Sequence, residues 1–152
     1  MKWRDTNPGI NDEDTLTLKK IPYNFPLSYL NFLKISDGGM PDTSHFDFFD
    51  VSFKSMMGQG VGIFYSLVSG EINLIKEYFD PPEFFPRDLV GFAETGNGDI
   101  ICFDYRKDPT TDNPSIVYWR HDAPEGEDVS FLANNFEDFL GMLKEPEELP
   151  SF

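Results

Sequence analysis

Histidines, one cysteine and a few carboxylates are the groups in this chain that could carry a reaction, and their spacing limits each of them. His45 and His121 are the two histidines, and they stand 76 residues apart. A metal centre would need both in one cluster with carboxylates such as Asp47 and Asp122, whereas metal ligands usually come in closely spaced pairs. The expectation is no metal site, with His121 an exposed residue at the end of a strand. Cys102 lies between Ile101 and Phe103 in an apolar run. A nucleophilic thiol needs an accessible, electropositive setting, so Cys102 reads as a buried structural cysteine. Ser44, Ser69 and Ser130 lack the strand-turn-helix context of an activated serine. Gly58-Gln59-Gly60-Val61-Gly62 has the glycines of a phosphate cradle without the Lys-Ser/Thr that completes one. Glu94, Asp99 and Asp104 are the best paired carboxylates. Asp99 and Asp104 are five positions apart, an odd spacing that sends them to opposite faces of a strand. A glycosidase-type acid/base pair needs them to converge. The chain therefore reads as a non-enzyme with no cofactor.

The aromatic residues of the second half carry a different chemistry. Tyr118 and Trp119 are neighbours in a strand-like run, so their side chains point to opposite faces. One reading puts one ring in the core and the other under a loop or helix. The other makes Trp119, with Tyr105, an aromatic anchor in a partner surface, where Tyr and Trp are favoured. Asp104, Asp122, Glu125, Glu127 and Asp128 would form an acidic rim around it. The candidate binding residues are thus Asp104, Tyr105, Trp119, Asp122, Glu125, Glu127 and Asp128.

The elements that must position these residues follow from local patterns. Residues 1–19 read as a poorly ordered lead-in with a short helical turn around Asp12–Lys19. Pro26 suits the start of a helix. Leu27, Leu30 and Leu33 follow, widened by Tyr29, Phe32 and Ile35. With almost no polar face, this helix is expected to pack on more than one side. Gly38-Gly39 is expected to stop it. His45 to Phe53 reads as a strand with Phe49, Val51 and Phe53 on one face, Gly58-Gln59-Gly60 as a loop, and Val61 to Tyr65 as a further strand. Residues 67–79 have rough helical spacing, ended by Asp80-Pro81-Pro82. Leu89–Ala93 and Asp99–Tyr105 flank Gly96-Asn97-Gly98, a strong hairpin signal in which both central residues of a tight turn take positive φ. Ser115–Arg120 adds a third strand and makes a meander. Asn135 can cap a last helix, with Asp138 three residues on and Phe136, Phe139, Leu140 and Leu143 at helical spacing. Pro146 ends it, and residues 145–152 form an acidic tail. The order gives one α+β domain, a mostly antiparallel sheet with helices packed against it.

Composition sets the class of partner. The 152 residues are 39% hydrophobic and 16% aromatic, which a disordered chain would lack. No apolar run reaches the roughly 18 residues of a membrane span, and the start lacks the apolar stretch of a signal peptide. A single cysteine cannot form an internal disulfide, which fits a cytoplasmic protein. The net charge is −15, and it is unevenly spread. Residues 1–76 carry 7 basic and 9 acidic groups, and residues 77–152 carry 5 basic and 18 acidic. Nucleic acid and anionic membrane are disfavoured as partners, because both need clustered Lys and Arg. A basic protein would be attracted, although solubility alone is a sufficient reason for acidity.

Three motifs in order resemble one family. Phe25-Pro26-Leu27-Ser28-Tyr29-Leu30-Asn31-Phe32-Leu33 with Asp37-Gly38-Gly39 resembles the opening of the SMI1/KNR4 family, the SUKH superfamily. Gly96-Asn97-Gly98-Asp99 through Asp104 is similar to its hairpin. Val117-Tyr118-Trp119, His121-Asp122 and Leu132 through Leu140 are similar to its ending. The resemblance spans residues 20–144. It implies an α+β fold and protein binding. The bacterial members it points to are immunity proteins that neutralise a secreted toxin, often a nuclease. The partner implied here is a basic toxin domain. The alternative is a regulatory or scaffold module that binds a housekeeping protein. The family's motifs bring no catalytic residues to this sequence.

Overall fold

Two β-prone runs that alternate faces, Ile100–Asp104 and Ser115–Trp119, form the centre of the molecule. The computed structural model describes residues 3–67 and 69–145. In chain order the elements are β1 (Trp3–Pro8), α1 (Asp12–Leu18), α2 (Leu27–Ile35), β2 (Ser36–Pro41), β3 (His45–Asp50), β4 (Ser55–Phe64), α3 (Leu74–Phe79), β5 (Leu89–Thr95), β6 (Ile100–Asp104), β7 (Ser115–Trp119), β8 (Val129–Ala133) and α4 (Phe136–Met142). The strands pair antiparallel in the order β1-β2-β4-β5-β6-β7-β8, and β3 pairs with the first half of β4. This is the α+β domain with a mostly antiparallel sheet. No described helix is long and apolar enough to cross a membrane.

Both faces of the central strands are covered. Ile101, Phe103, Ile116 and Tyr118 turn to the main core, where α2 contributes Tyr29 and Leu33 and α4 contributes Phe136 and Phe139. This core is dense in rings: Phe92 stacks on Phe103 at 4.4 Å, and Tyr29 meets Phe103 edge-on at 4.9 Å. Such pairs add about 0.5–1.5 kcal/mol each beyond the area they bury. Ile100, Cys102, Val117 and Trp119 turn the other way and form a second, smaller core with Leu89. Phe85, from the loop at 80–88, covers it, with its ring 5.0 Å from that of Trp119.

Several local expectations change in the fold. In β3, Phe46 and Phe48 are buried and Phe49 is exposed, the reverse of the expected face. Both parities of this strand carry Phe, so the pattern alone is ambiguous. Tertiary partners decide: Phe48 stacks on Tyr118 at 4.5 Å, and buried Asp50 pairs with Arg120. Phe53, past the strand end, is also exposed and lies against the Arg120 guanidinium at 4.6 Å. Gly58-Gln59-Gly60 is not a loop but the middle of β4, paired with Asp47, Phe46 and His45. Gly38 and Gly39 do not stop α2. The helix ends at Ser36 in extended backbone, and the glycines lie in β2. A Cβ on Gly38 would sit 2.5 Å from the Ser66 nitrogen, so the residue is there for close approach of two backbones. Tyr29 and Leu33 of α2 are buried but Leu27 and Ile35 face solvent, so this helix packs on one side.

The remaining elements fall close to their sequence signals. The turn between β5 and β6 has three residues at its tip, and of these only Gly98 takes positive φ, at 93°. The Thr95 N–H donates to the Asp99 carbonyl across it at 3.0 Å. This is the hairpin loop that needs one left-handed residue, not two. The third helix is confined to α3, started by the Asn73 side chain accepting from the Lys76 N–H at 2.9 Å. Asn135 caps α4 by accepting from the Asp138 N–H at 2.8 Å. The chain ahead of α1 forms β1 on the edge of the sheet, and β8 adds a strand beyond the meander. Pro146 and the tail beyond Glu145 lie outside the described residues.

Candidate functional site

Two loops about 40 residues apart in sequence meet on the back of the sheet and leave a groove between them. One is the Pro-rich loop at 80–88, and the other is the acidic loop at 121–128 that joins β7 to β8. Trp119 and Phe85 lie in the groove, and Phe84, Arg106, His121, Glu125 and Asp128 line it; its volume is about 880 Å³. The acidic loop is held by its own backbone: the Arg120 N–H donates to the Asp128 carbonyl at 2.8 Å, and the Glu127 N–H to that of Pro124 at 3.0 Å. Gly126, at φ +91°, supplies the left-handed residue of that turn.

Phe84 stands out in this setting. Its side chain is 85% exposed, and its backbone is left-handed at φ +67°. A bulky residue in that region costs roughly 1–2 kcal/mol. The neighbours impose it. Pro82 and Pro86 restrict the loop, the Phe85 N–H donates to the Pro82 carbonyl at 3.1 Å, and the Phe85 ring is anchored on Trp119. Burial of Phe85 therefore turns Phe84 outward at the groove's edge.

The structure unites only some of the residues proposed from sequence. Trp119, Glu125 and Asp128 line the groove. Trp119 is nevertheless 2% exposed, and its indole N–H donates to Asp128 Oδ2 at 3.1 Å. It serves as floor, not as a protruding anchor, because Phe85 already occupies its face. Asp104 is half-buried and bonded by both oxygens to Arg106, at 2.9 and 3.0 Å, so it reaches the groove only through that arginine. Asp122 and Glu127 are exposed on the acidic loop without lining the groove. Tyr105 is fully buried on the other face, stacked on Tyr23 at 4.5 Å, with its hydroxyl donating to the Asn24 carbonyl at 2.6 Å. It is separate from the groove. Phe84 and Phe85 were absent from the sequence candidates. Two aromatics bracketed by prolines in Pro81-Pro82-Glu83-Phe84-Phe85-Pro86 were the available signal.

Compared with known protein families, residues 16–142 match the SMI1 / KNR4 family (SUKH-1). The chain belongs to the SMI1/KNR4 family. It is also similar to the SPbeta prophage-derived uncharacterized protein YokK of Bacillus subtilis (strain 168). The two are 29% identical over 161 residues, which cover 93% of this chain and 79% of that protein.

In this SUKH-1 domain, the motif residues of the hairpin and the following strand form a buried polar hub. Asp99 is fully buried beside the turn. It accepts from the Tyr118 hydroxyl, from the His121 N–H at 3.0 Å and from His121 Nδ1 at 2.7 Å, with Arg120 Nη1 at 3.6 Å. Arg120 in turn donates through Nε, at 3.0 Å, and Nη2 to Asp50 Oδ2. One arginine thus sits between two buried carboxylates and ties the β3–β4 hairpin to β7. Donor atoms of Asp99, His121 and Asp122 lie within 4.8 Å of one another, a spacing a metal could use. A cation there would compete with the donors that already engage Asp99, so the trio reads as part of the hub. Asp99 and Asp104 do take opposite faces, one toward Tyr118 and the other toward Arg106. The clefts beside the 80–88 loop collect no two of Glu94, Asp99, Asp104 and Asp122. Cys102 is fully buried, and burial, helped by Asp104, pushes its thiol well above the ordinary range. A thiol so raised is a poor nucleophile at neutral pH.

Proposed function

We propose that this domain is an immunity-type binding protein that docks a basic protein partner, a secreted toxin domain, in the groove between the 80–88 and 121–128 loops. The carrying observation is the exposed Phe84, held in a left-handed conformation at the edge of a groove whose acidic wall is Glu125 and Asp128. An exposed aromatic beside acidic charge suits a partner surface, with a ring to bury and a field that steers. Within the lining Arg87 and Arg106 stand against Glu125 and Asp128, and the steering charge is that of the wider segment, since residues 121–152 carry 9 acidic groups and 1 basic. Membership of the SMI1/KNR4 family and the likeness to a prophage-derived protein support the same reading. The action is occlusion of the toxin by cytoplasmic binding, without chemistry on it.

The test is co-expression with a toxin domain encoded beside this gene, followed by pull-down and stopped-flow association. Phe84→Ala is expected to weaken the complex by about 1–3 kcal/mol. Glu125→Lys with Glu127→Lys is expected to slow association by about tenfold at low salt and much less at high salt. A rate indifferent to salt removes the electrostatic part. Capture of a housekeeping protein in place of a toxin would favour a regulatory module.

A further inference from the structure

On the other side of the 85–87 ridge lies a second, smaller cavity of about 410 Å³. Three tyrosines line it, Tyr23, Tyr65 and Tyr78, with Phe79 and Phe85. Its carboxylates are Glu77 and Asp88, and Glu94 stands behind Tyr65, accepting from that hydroxyl at 3.0 Å. Asp88 accepts likewise from the Tyr23 hydroxyl. The one cation among the described lining residues is Arg87 at the rim shared with the groove. Glu77 is half-buried, and its carboxylate makes no hydrogen bond or ion pair among the described residues. Burial, and then the nearby Glu94, raise its carboxyl above the ordinary value, with Lys76 pulling the other way. A desolvated carboxylate with like charge beside it is stabilised by a cation brought from outside.

We propose that this tyrosine-lined cavity receives an arginine side chain of the basic partner seated in the neighbouring groove. The inference rests on the docking reading above and adds the chemistry of one contact. Tyr78 and Phe79 line the cavity with Glu77, so a flat cation there would meet aromatic rings while Glu77 accepts from its N–H groups. Arginine fits this better than lysine, because a guanidinium stacks on a ring and donates in its plane at once. Phe85, Pro86 and Arg87 border both cavities, so a chain lying in the groove can send one side chain across the ridge.

The experiment needs no partner. The isotopically labelled full chain is titrated with N-acetyl-arginine amide, and with the lysine and citrulline counterparts, by NMR. Saturable shifts at Tyr65, Glu77, Tyr78 and Gly91 are expected with the arginine compound, with binding at least fivefold weaker for the lysine compound and absent for citrulline. Glu77→Gln is expected to weaken arginine about tenfold, and Tyr78→Leu about threefold, each checked for an intact fold by its spectrum. Equal binding of citrulline, equal binding of lysine, or no saturable shift in the wild-type chain would overturn the assignment. Because the probe is a free amino-acid derivative, that failure leaves the groove reading standing. A toxin that ignores Phe84→Ala would sink the groove reading instead, whatever the titration shows.

Discussion

Arg120→Met is expected to destabilise the fold by about 3–5 kcal/mol, the cost of stripping the partner from buried charge. The structure makes the case severe. The Arg120 side chain is 10% exposed, Asp50 is 1% exposed and Asp99 is fully buried, so removal of one cation leaves two desolvated carboxylates facing each other's field. Phe53 and Tyr118 also lose the guanidinium that lies against their rings. Asp50→Asn is the informative contrast. It keeps an oxygen for the Ser52 and Phe53 N–H groups, which donate to Asp50 Oδ1 at 2.8 and 3.1 Å, and Arg120 still has Asp99. Both bonds from Arg120 Nε and Nη2 to Oδ2 are lost, but one arginine then faces one buried carboxylate and the charges balance, so the cost is expected at about 1–3 kcal/mol. Urea unfolding followed by tryptophan fluorescence measures both. With a slope near 2 kcal/mol per molar, Arg120→Met should lower the midpoint by about 2 M and Asp50→Asn by about 1 M. The reasoning fails if Arg120→Met costs under about 1 kcal/mol, the range of an exposed ion pair. It fails equally if Asp50→Asn costs as much as Arg120→Met, because then the shared arginine is not what holds the hub.

Three further outcomes follow from the same structure. Gly38→Ala should destabilise by about 2–3 kcal/mol in the same urea assay, since φ is +78° and the new Cβ would meet Ser66 and Phe64 backbone atoms; a neutral effect would show that β2 and β4 can separate freely. Cys102 should resist a disulfide reagent at pH 8 in the native state and react once urea unfolds the chain, because its thiol is buried and raised; prompt native reaction would contradict this. All six tyrosines are raised above the ordinary phenol value, first of all by burial. The unfolded chain therefore releases these protons first. The tyrosines' contribution to stability should be level below about pH 10 and fall as pH rises toward the folded values. Tyrosinate absorbance and loss of circular dichroism should then rise together, and a gradual titration of most tyrosines near pH 10 in a folded chain would refute it.

Legibility from sequence divides along the range of the interactions. The β5–β6 hairpin, the third strand and α4 are readable, since Gly98, the alternating runs and the Asn135 cap act within a few residues. Residues 58–60 mislead because their glycines signal a turn locally, while pairing with β3 holds them extended. The face of β3 misleads because Phe48 and Phe49 are equal by composition. The shared position of Asp122, Glu125, Glu127 and Asp128, four of the seven proposed residues, follows from a related reason. Acidic residues of one loop lie together in sequence and stay together in space. Tyr105 and Trp119 join them by residue type, and type does not say which aromatic the fold will cover.

By itself the sequence determined the α+β class, the family resemblance and the segregation of charge into the second half. Each of these rests on short-range pattern or on composition, which no packing can alter. Only the tertiary structure decided that Asp50, Arg120 and Asp99 share one buried hub, although Asp50 is 70 residues from Arg120. It alone brought the 80–88 loop across the sheet onto Trp119, turned Phe84 outward, and set three tyrosines around Glu77. Those juxtapositions come from burying both faces of β6 and β7 at once, a requirement that is met between distant segments and leaves no local trace.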